Sequence, residues 1–187
     1  MMPKRDFVIR NGVLVSARKD IVDAIVPKGV HTLGYWAFDG CTNLTTIDTS
    51  NVTTIGDGAF YGCTNLTTID TSNVTTIGDW AFDGCTNLTT IDTSNVTTIG
   101  NGAFRGCTNL TTIDTSNVTT IGNGAFRDCT NLTTLIVSNI LEQIGRGVFV
   151  GCNDFKEIII KDALQGKEIE GFKLWLQTNI EIEMEIA

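Results

Sequence analysis

The segment CTNLTTIDTSNVTTIG begins at Cys41 and recurs unchanged at Cys63, Cys85 and Cys107, with a diverged copy at Cys129. The period is 22 residues. A unit this short cannot bury its own apolar face, so copies must stack and share one continuous core. A residue that recurs in every copy then forms a column along the stack. Function in such a chain is expected on a surface rather than in a pocket.

Within one unit, Cys41 to Gly62, the apolar residues are Cys41, Leu44, Ile47, Val52, Ile55, Ala59 and Phe60. Their spacing supports no helix longer than about one turn. The β-branched Thr, Ile and Val favour extended backbone on a half-buried surface. The unit reads as a short strand from Leu44 to Asp48, a corner at Ser50-Asn51, an extended stretch from Val52 to Ile55, a turn at Gly56 and a tight helical turn over Gly58 to Gly62. Strands laid side by side at about 4.8 Å make a parallel sheet. Leu44, Leu66, Leu88, Leu110 and Leu132 stack inside it, as do Ile47, Ile69, Ile91, Ile113 and Leu135. Phe38, Phe60, Phe82, Phe104, Phe126 and Phe149 fill the opposite side of the same core.

A Leu-x-x-Ile strand, a Val-x-x-Ile-Gly turn and an Ala-Phe-x-Gly-Cys closure, kept in this order through six copies over about residues 20 to 160, resemble the BspA-type leucine-rich repeats of bacterial surface proteins. The resemblance implies an α/β repeat fold: a right-handed leucine-rich-repeat solenoid with short parallel β-strands and short helical turns. It also implies an N-terminal β-hairpin cap and a C-terminal strand-helix-strand cap. The departures are specific. That family usually carries Ile-Pro after the strand, matched here by Val26-Pro27, whereas the inner copies run Ile-Asp-Thr-Ser-Asn-Val and are one residue shorter than the step from Cys129 to Cys152. Those copies place Thr49, Thr71, Thr93 and Thr115 where an apolar residue would normally point inward.

The ends read as caps on a single domain over 1–187, divided as 1–19, repeats over 20–152, and 153–187. Asn11-Gly12 between two β-rich runs is a strong hairpin signal, and a hairpin there covers the first rung. Lys156 to Lys161 reads as a last core strand, Glu168 to Gln177 as an amphipathic helix, and Ile180 to Ile186 as a strand whose glutamates guard the edge. The first residues lack the apolar stretch of an export leader, and nowhere do eighteen apolar residues run together. Membrane insertion is therefore not expected. The resemblance points to a secreted or surface protein, with location otherwise open. A net charge of −8 opposes phosphate binding, so the N-terminal lysines and arginines read as a solvated surface and no nucleic-acid partner is expected.

Six cysteines recur one per rung, at 41, 63, 85, 107, 129 and 152. Pairing neighbours would make alternate rungs differ although their sequences do not, so buried free thiols are expected. The single His31 and the absence of a Cys-x-x-Cys pair speak against zinc. No nucleophile with a base, and no phosphate loop, stands at a unique position. No catalytic residue, metal or cofactor is assigned.

Three surface sets are candidates for binding. Asp48, Asp70, Asp92 and Asp114, flanked by Thr46, Thr68, Thr90 and Thr112, form an outward ladder. It reads as solvated turn carboxylates, with weak cation binding as the alternative, since one Asp per rung does not build a calcium cage. Regular Thr columns suggest an ice-binding face, but such arrays need Thr-x-Thr on one strand, and here Asp48 follows Thr46. The third set is where the copies differ: Tyr35-Trp36-Asp39, Asp57-Tyr61, Asp79-Trp80-Asp83, Asn101-Arg105 and Asn123-Arg127-Asp128. Drift at tolerant positions explains it, and so does a partner-reading ridge, because Trp, Tyr and Arg dominate binding hot spots. Trp36, Tyr61, Trp80, Arg105 and Arg127 are the candidates there. The expected function is a non-enzymatic protein-binding module, monomeric, with an adhesion or host-interaction role implied by the resemblance. A rigid spacer without a ligand is the alternative.

Overall fold

The computed structural model describes residues 6–161. Fourteen short strands run along them. They are β1 (Phe7–Arg10), β2 (Val13–Ala17), β3 (Asp23–Ile25), β4 (Thr32–Leu33), β5 (Thr46–Asp48), β6 (Thr54–Ile55) and β7 (Thr68–Ile69) in the first half. The second half holds β8 (Thr76–Ile77), β9 (Thr98–Ile99), β10 (Thr112–Asp114), β11 (Thr120–Ile121), β12 (Thr134–Ser138), β13 (Gln143–Ile144) and β14 (Glu157–Lys161). Apart from the antiparallel pair β1–β2, every pairing is parallel and links a rung to the next in register, as Ile47 to Ile69 and Ile55 to Ile77. The result is a right-handed solenoid of about seven turns.

One face is a continuous eight-stranded sheet in the order β1-β2-β4-β6-β8-β9-β11-β13. The second is divided into β3-β5-β7 and β10-β12-β14. Between these two sheets lies Thr90-Ile91-Asp92, which forms no strand and leaves Ile91 only partly buried, whereas Ile47, Ile69 and Ile113 are buried. The same tripeptide is a strand at Thr46–Asp48 and at Thr112–Asp114, so the local sequence alone does not account for the break. The strands are also shorter than the expected Leu44 to Asp48, because Leu44 belongs to a turn, donating its N–H to the Cys41 carbonyl.

The third side corrects the expectation of helical turns: no helix occurs among the described residues. In the first closing segment the N–H groups of Ala37, Asp39 and Cys41 each close a three-residue turn onto Gly34, Trp36 and Phe38. The alternate N–H groups of Trp36, Phe38 and Gly40 reach across to the carbonyls of Asp57, Ala59 and Tyr61 in the next rung. A helix would keep all of these donors within the segment. Here half of them cross-link the stack, and each segment needs two left-handed residues, such as Gly58 and Gly62 at φ 62 and 66.

The core is what the repeat requires. Phe38, Phe60, Phe82, Phe104 and Phe126 are fully buried and stack with ring centroids 5.1 to 5.7 Å apart. Phe7 of the hairpin meets Phe38 edge-on at 6.1 Å, and Phe155 stacks on Phe149 at 4.4 Å, so both described ends of the column are covered. The hairpin turns at Asn11 and Gly12, both at positive φ, and β2 pairs with β4. All six cysteines are reduced and buried. From Cys63 onward each thiol donates to a Phe carbonyl of the preceding rung, at 3.1 Å for Cys63 to Phe38. The expected helix at Glu168 to Gln177 and strand at Ile180 to Ile186 lie outside the described residues.

Candidate functional site

The Asp and Thr columns are placed outward, as their sequence positions suggest, and each Asp carboxylate is engaged in a turn of its own rung. Asp48, Asp70, Asp92 and Asp114 each accept the backbone N–H two residues on, at 2.9 Å for Ser50, which fixes the corner of the rung. The Ser50 N–H holds the Asp48 carboxyl below its usual range. Thr46, Asp48, Thr68 and Asp70 share one depression with Asp23. There the hydroxyls of Thr46 and Thr45 bond Asp23 at 2.8 and 2.9 Å and lower its proton affinity. Thr90 and Asp92 fall in the break between sheets. Thr112 and Asp114 lie beyond it, where Asp114 is ion-paired with Lys161. The thirteen-residue candidate set is therefore not one surface. Among the described residues no group of three or more His, Cys, Asp or Glu side chains could hold a metal ion.

The closing turns carry the aromatic and basic candidates. Trp36, Tyr61 and Trp80 are 41 to 46% exposed. Trp36 and Tyr61 pack on each other, ring centroids 5.2 Å apart. Trp36 and Trp80 have φ 56 and 55, a conformation rarely taken by a bulky L-residue. Their column otherwise holds Gly58, Gly102, Gly124 and Gly147. A Cβ at Gly58 would sit 2.6 Å from the Trp36 ring, and one at Gly102 would sit 2.8 Å from the Trp80 ring. Each indole thus lies over the glycine of the following rung, and both glycines are buried. Asp128, at φ 60, repeats the device one column over: a Cβ at Gly151 would strike its carboxylate.

Beside Trp80 the surface sinks into a depression of about 360 Å³ lined by Trp80, Asn101, Gly102, Arg105, Asn123, Gly124, Arg127, Arg146 and Gly147. Arg105 stands 3.8 Å from Asp83 and 3.9 Å from Asp128, and Arg127 stands 3.6 Å from Asp128. Burial pushes the Asp83 carboxyl up, with Arg105 pulling the other way. A polar ladder runs along one wall. Asp57 accepts the N–H of Asp79, Asp79 that of Asn101, Asn101 that of Asn123 and Asn123 that of Arg146, at 2.7 to 3.0 Å. The sequence marks Asp57, Asp79, Asn101 and Asn123 only as members of the variable set, not as a ladder, and does not mark Arg146. The signal was there in the column Asp57, Asp79, Asn101, Asn123, where every residue offers a side-chain oxygen. Arg146 was hidden by the single-residue insertion in its rung.

A family model for the BspA-type leucine-rich-repeat region matches six copies over residues 16–117 and 90–184. The chain belongs to the BspA-type leucine-rich-repeat family. Three solved structures place this BspA-type chain among bacterial repeat proteins. A leucine-rich repeat protein from Bacteroides ovatus is 30% identical, with 82% of this chain and 47% of that one covered and a TM-score of 0.67. The leucine-rich repeat protein of T. pallidum is 24% identical over 92% of this chain and 89% of that one, with a TM-score of 0.74, and shows the fold alone. A leucine-rich cell surface protein from Faecalibacterium prausnitzii is 23% identical over 81% of this chain and 36% of that one, with a TM-score of 0.56, and likewise shows the fold. The chain thus spans about half or less of the first and third of these proteins. The curated proteins contain no match.

Proposed function

We propose that this BspA-type chain is a non-enzymatic protein-binding module that works at a bacterial surface, reading its partner with the edge formed by the closing turns. The observation that carries the reading is the pair Trp36 and Trp80. Each keeps an exposed indole on a left-handed backbone that costs about 1–2 kcal/mol for a residue with a Cβ, in a column where glycine serves the fold in four of six rungs. Tyr61, Arg105 and Arg127 extend the edge with the residue types that dominate interfaces. The Thr and Asp columns are assigned to corner formation, with a secondary role in partner contact limited to Thr46, Asp48, Thr68 and Asp70.

The test is biolayer interferometry of the full chain against purified host extracellular proteins such as fibronectin, fibrinogen and laminin, with Trp36→Gly and Trp80→Gly alongside. Glycine restores the residue other rungs use, so the fold is expected to persist while affinity drops about tenfold or more. Equal affinity of both variants would remove the edge from consideration. The spacer reading is favoured by the near-identity of the copies and by the unbroken phenylalanine column, and it predicts no binding to any of these proteins.

A further inference from the structure

We infer that the depression beside Trp80 is a docking site for a short, extended, acidic peptide segment of a protein partner. The inference rests on the reading of the turn edge as a binding surface and names what one part of it takes. Its floor is the glycine column. Trp80 covers Gly102 and closes one end, but beyond it a Cβ at Gly124 would meet nothing nearer than 3.6 Å, so the floor is bare backbone. At about 360 Å³ the space sits near the lower end of the 300–1,000 Å³ common for ligand pockets, which suits a few residues of chain and not a large rigid ligand.

The chemistry is one-sided. Arg105, Arg127 and Arg146 bring three guanidinium forks, and the carboxylates within ion-pair reach are Asp83 and Asp128. Those contacts, at 3.6 to 3.9 Å, are too long for hydrogen bonds. Among the described residues these guanidinium N–H groups make no hydrogen bond, and three arginines against two carboxylates leave a net positive charge beside the space, in a chain of net charge −8. The two asparagine side chains that line the space are already engaged with each other and with their neighbours. The Asn101 amide N–H₂ donates to Asp79, and its oxygen accepts from both the Asn123 backbone and the Asn123 amide. The Asn123 oxygen accepts from Arg146. What remains is a set of donors with few acceptors, beside a rigid indole. That combination suits carboxylates on a peptide with an apolar residue against Trp80, and suits a hydroxyl-rich glycan poorly.

The test is fluorescence anisotropy of the full chain with a fluorescein-labelled peptide of one Leu followed by six Glu, against the same peptide with Lys for Glu and a labelled neutral maltohexaose hexasaccharide. The acidic peptide alone is expected to bind, with affinity falling about tenfold as salt rises from about 0.05 to 0.5 M. The double variant R127Q/R146Q and the space-filling Gly124→Asn should each weaken it at least about fivefold, with melting cooperative in both and lowered by a few degrees at most in Gly124→Asn. Asn tolerates the left-handed backbone, as Asn11 does at φ 49. Absence of binding by the parent chain, equal binding of the lysine peptide, tighter binding of the hexasaccharide, or indifference to both variants would each overturn the assignment. The broader reading then survives if Trp36→Gly or Trp80→Gly still weakens a partner in the interferometry panel, and falls if neither does.

Discussion

Thr49, Thr71, Thr93 and Thr115 form a buried polar column in a core otherwise made of Leu, Ile, Val, Ala, Cys and Phe columns. Each hydroxyl donates to the backbone carbonyl of the next rung: Asp70, Asp92, Asp114 and Ile136 in turn. Two of these bonds, Thr71 to Asp92 and Thr93 to Asp114, cross the zone where the second face has lost its strand. A side-chain ladder there takes over part of the work of the missing backbone ladder. Replacing Thr93 by the isosteric Val removes the donor and leaves a buried carbonyl unpaired, which should cost about 1–2 kcal/mol by urea unfolding. The same change at exposed Thr90 should move the midpoint very little. A larger effect at position 90 than at 93 would contradict the role given to the buried column. The inward Thr was legible from its place in the repeat; its partner one rung on was not, because period and polarity do not reveal where a buried hydroxyl finds an acceptor.

The closing turns resemble helical turns in sequence for a definite reason. Gly58-Ala59-Phe60-Tyr61-Gly62 has the length of one helical turn, and spacing alone cannot tell intrarung hydrogen bonds from interrung ones. The stack decides it, since donors such as Phe60 pair with carbonyls such as Ala81 at 2.7 Å. At this scale the thiol column makes a pH prediction. Burial pushes the Cys63 thiol up to about 12 and the Cys152 thiol to about 11, with Cys85, Cys107 and Cys129 also raised. In the unfolded chain thiols ionise from about pH 8.5, so above that the unfolded state holds fewer protons than the folded one. Stability is therefore full below about pH 8.5 and lost as pH climbs toward 12, by about 1.4 kcal/mol per pH unit for each protected thiol. Urea midpoints should fall between pH 8.5 and 10.5, and Cys107→Ala should flatten that slope. A slope unchanged by removing the Cys107 thiol would contradict the assignment.

Across the whole molecule, the columns that recur in every copy could be read ahead of the structure: the Leu and Phe ladders, the outward Asp, the free thiols and the Asn-Gly hairpin. Stacking forces identical residues into identical environments, so a single unit's pattern carries the whole. The candidate site was legible in part, since Trp80, Arg105 and Arg127 do come together, while Trp36 and Tyr61 pair elsewhere along the turns. The alternation of Trp with Gly stood open to a reading as drift because the reason lies between rungs: a left-handed indole needs a bare backbone beneath it. The break at Thr90-Ile91-Asp92 has no sequence signature, since the same tripeptide is a strand at Thr46–Asp48 and Thr112–Asp114.

The division of labour between repeated and non-repeated residues can be tested in one variant that combines Trp36→Gly, Trp80→Gly, Arg105→Ser and Arg127→Ser. All four side chains are exposed on the closing turns. Its binding to a partner identified for the parent chain should be measured by interferometry, with thermal unfolding of the same sample as the companion reading. The prediction is that affinity is lost while unfolding stays within a few degrees of the parent, because the columns that hold the solenoid are untouched. Retained affinity in the folded variant would contradict the assignment of function to the closing-turn edge.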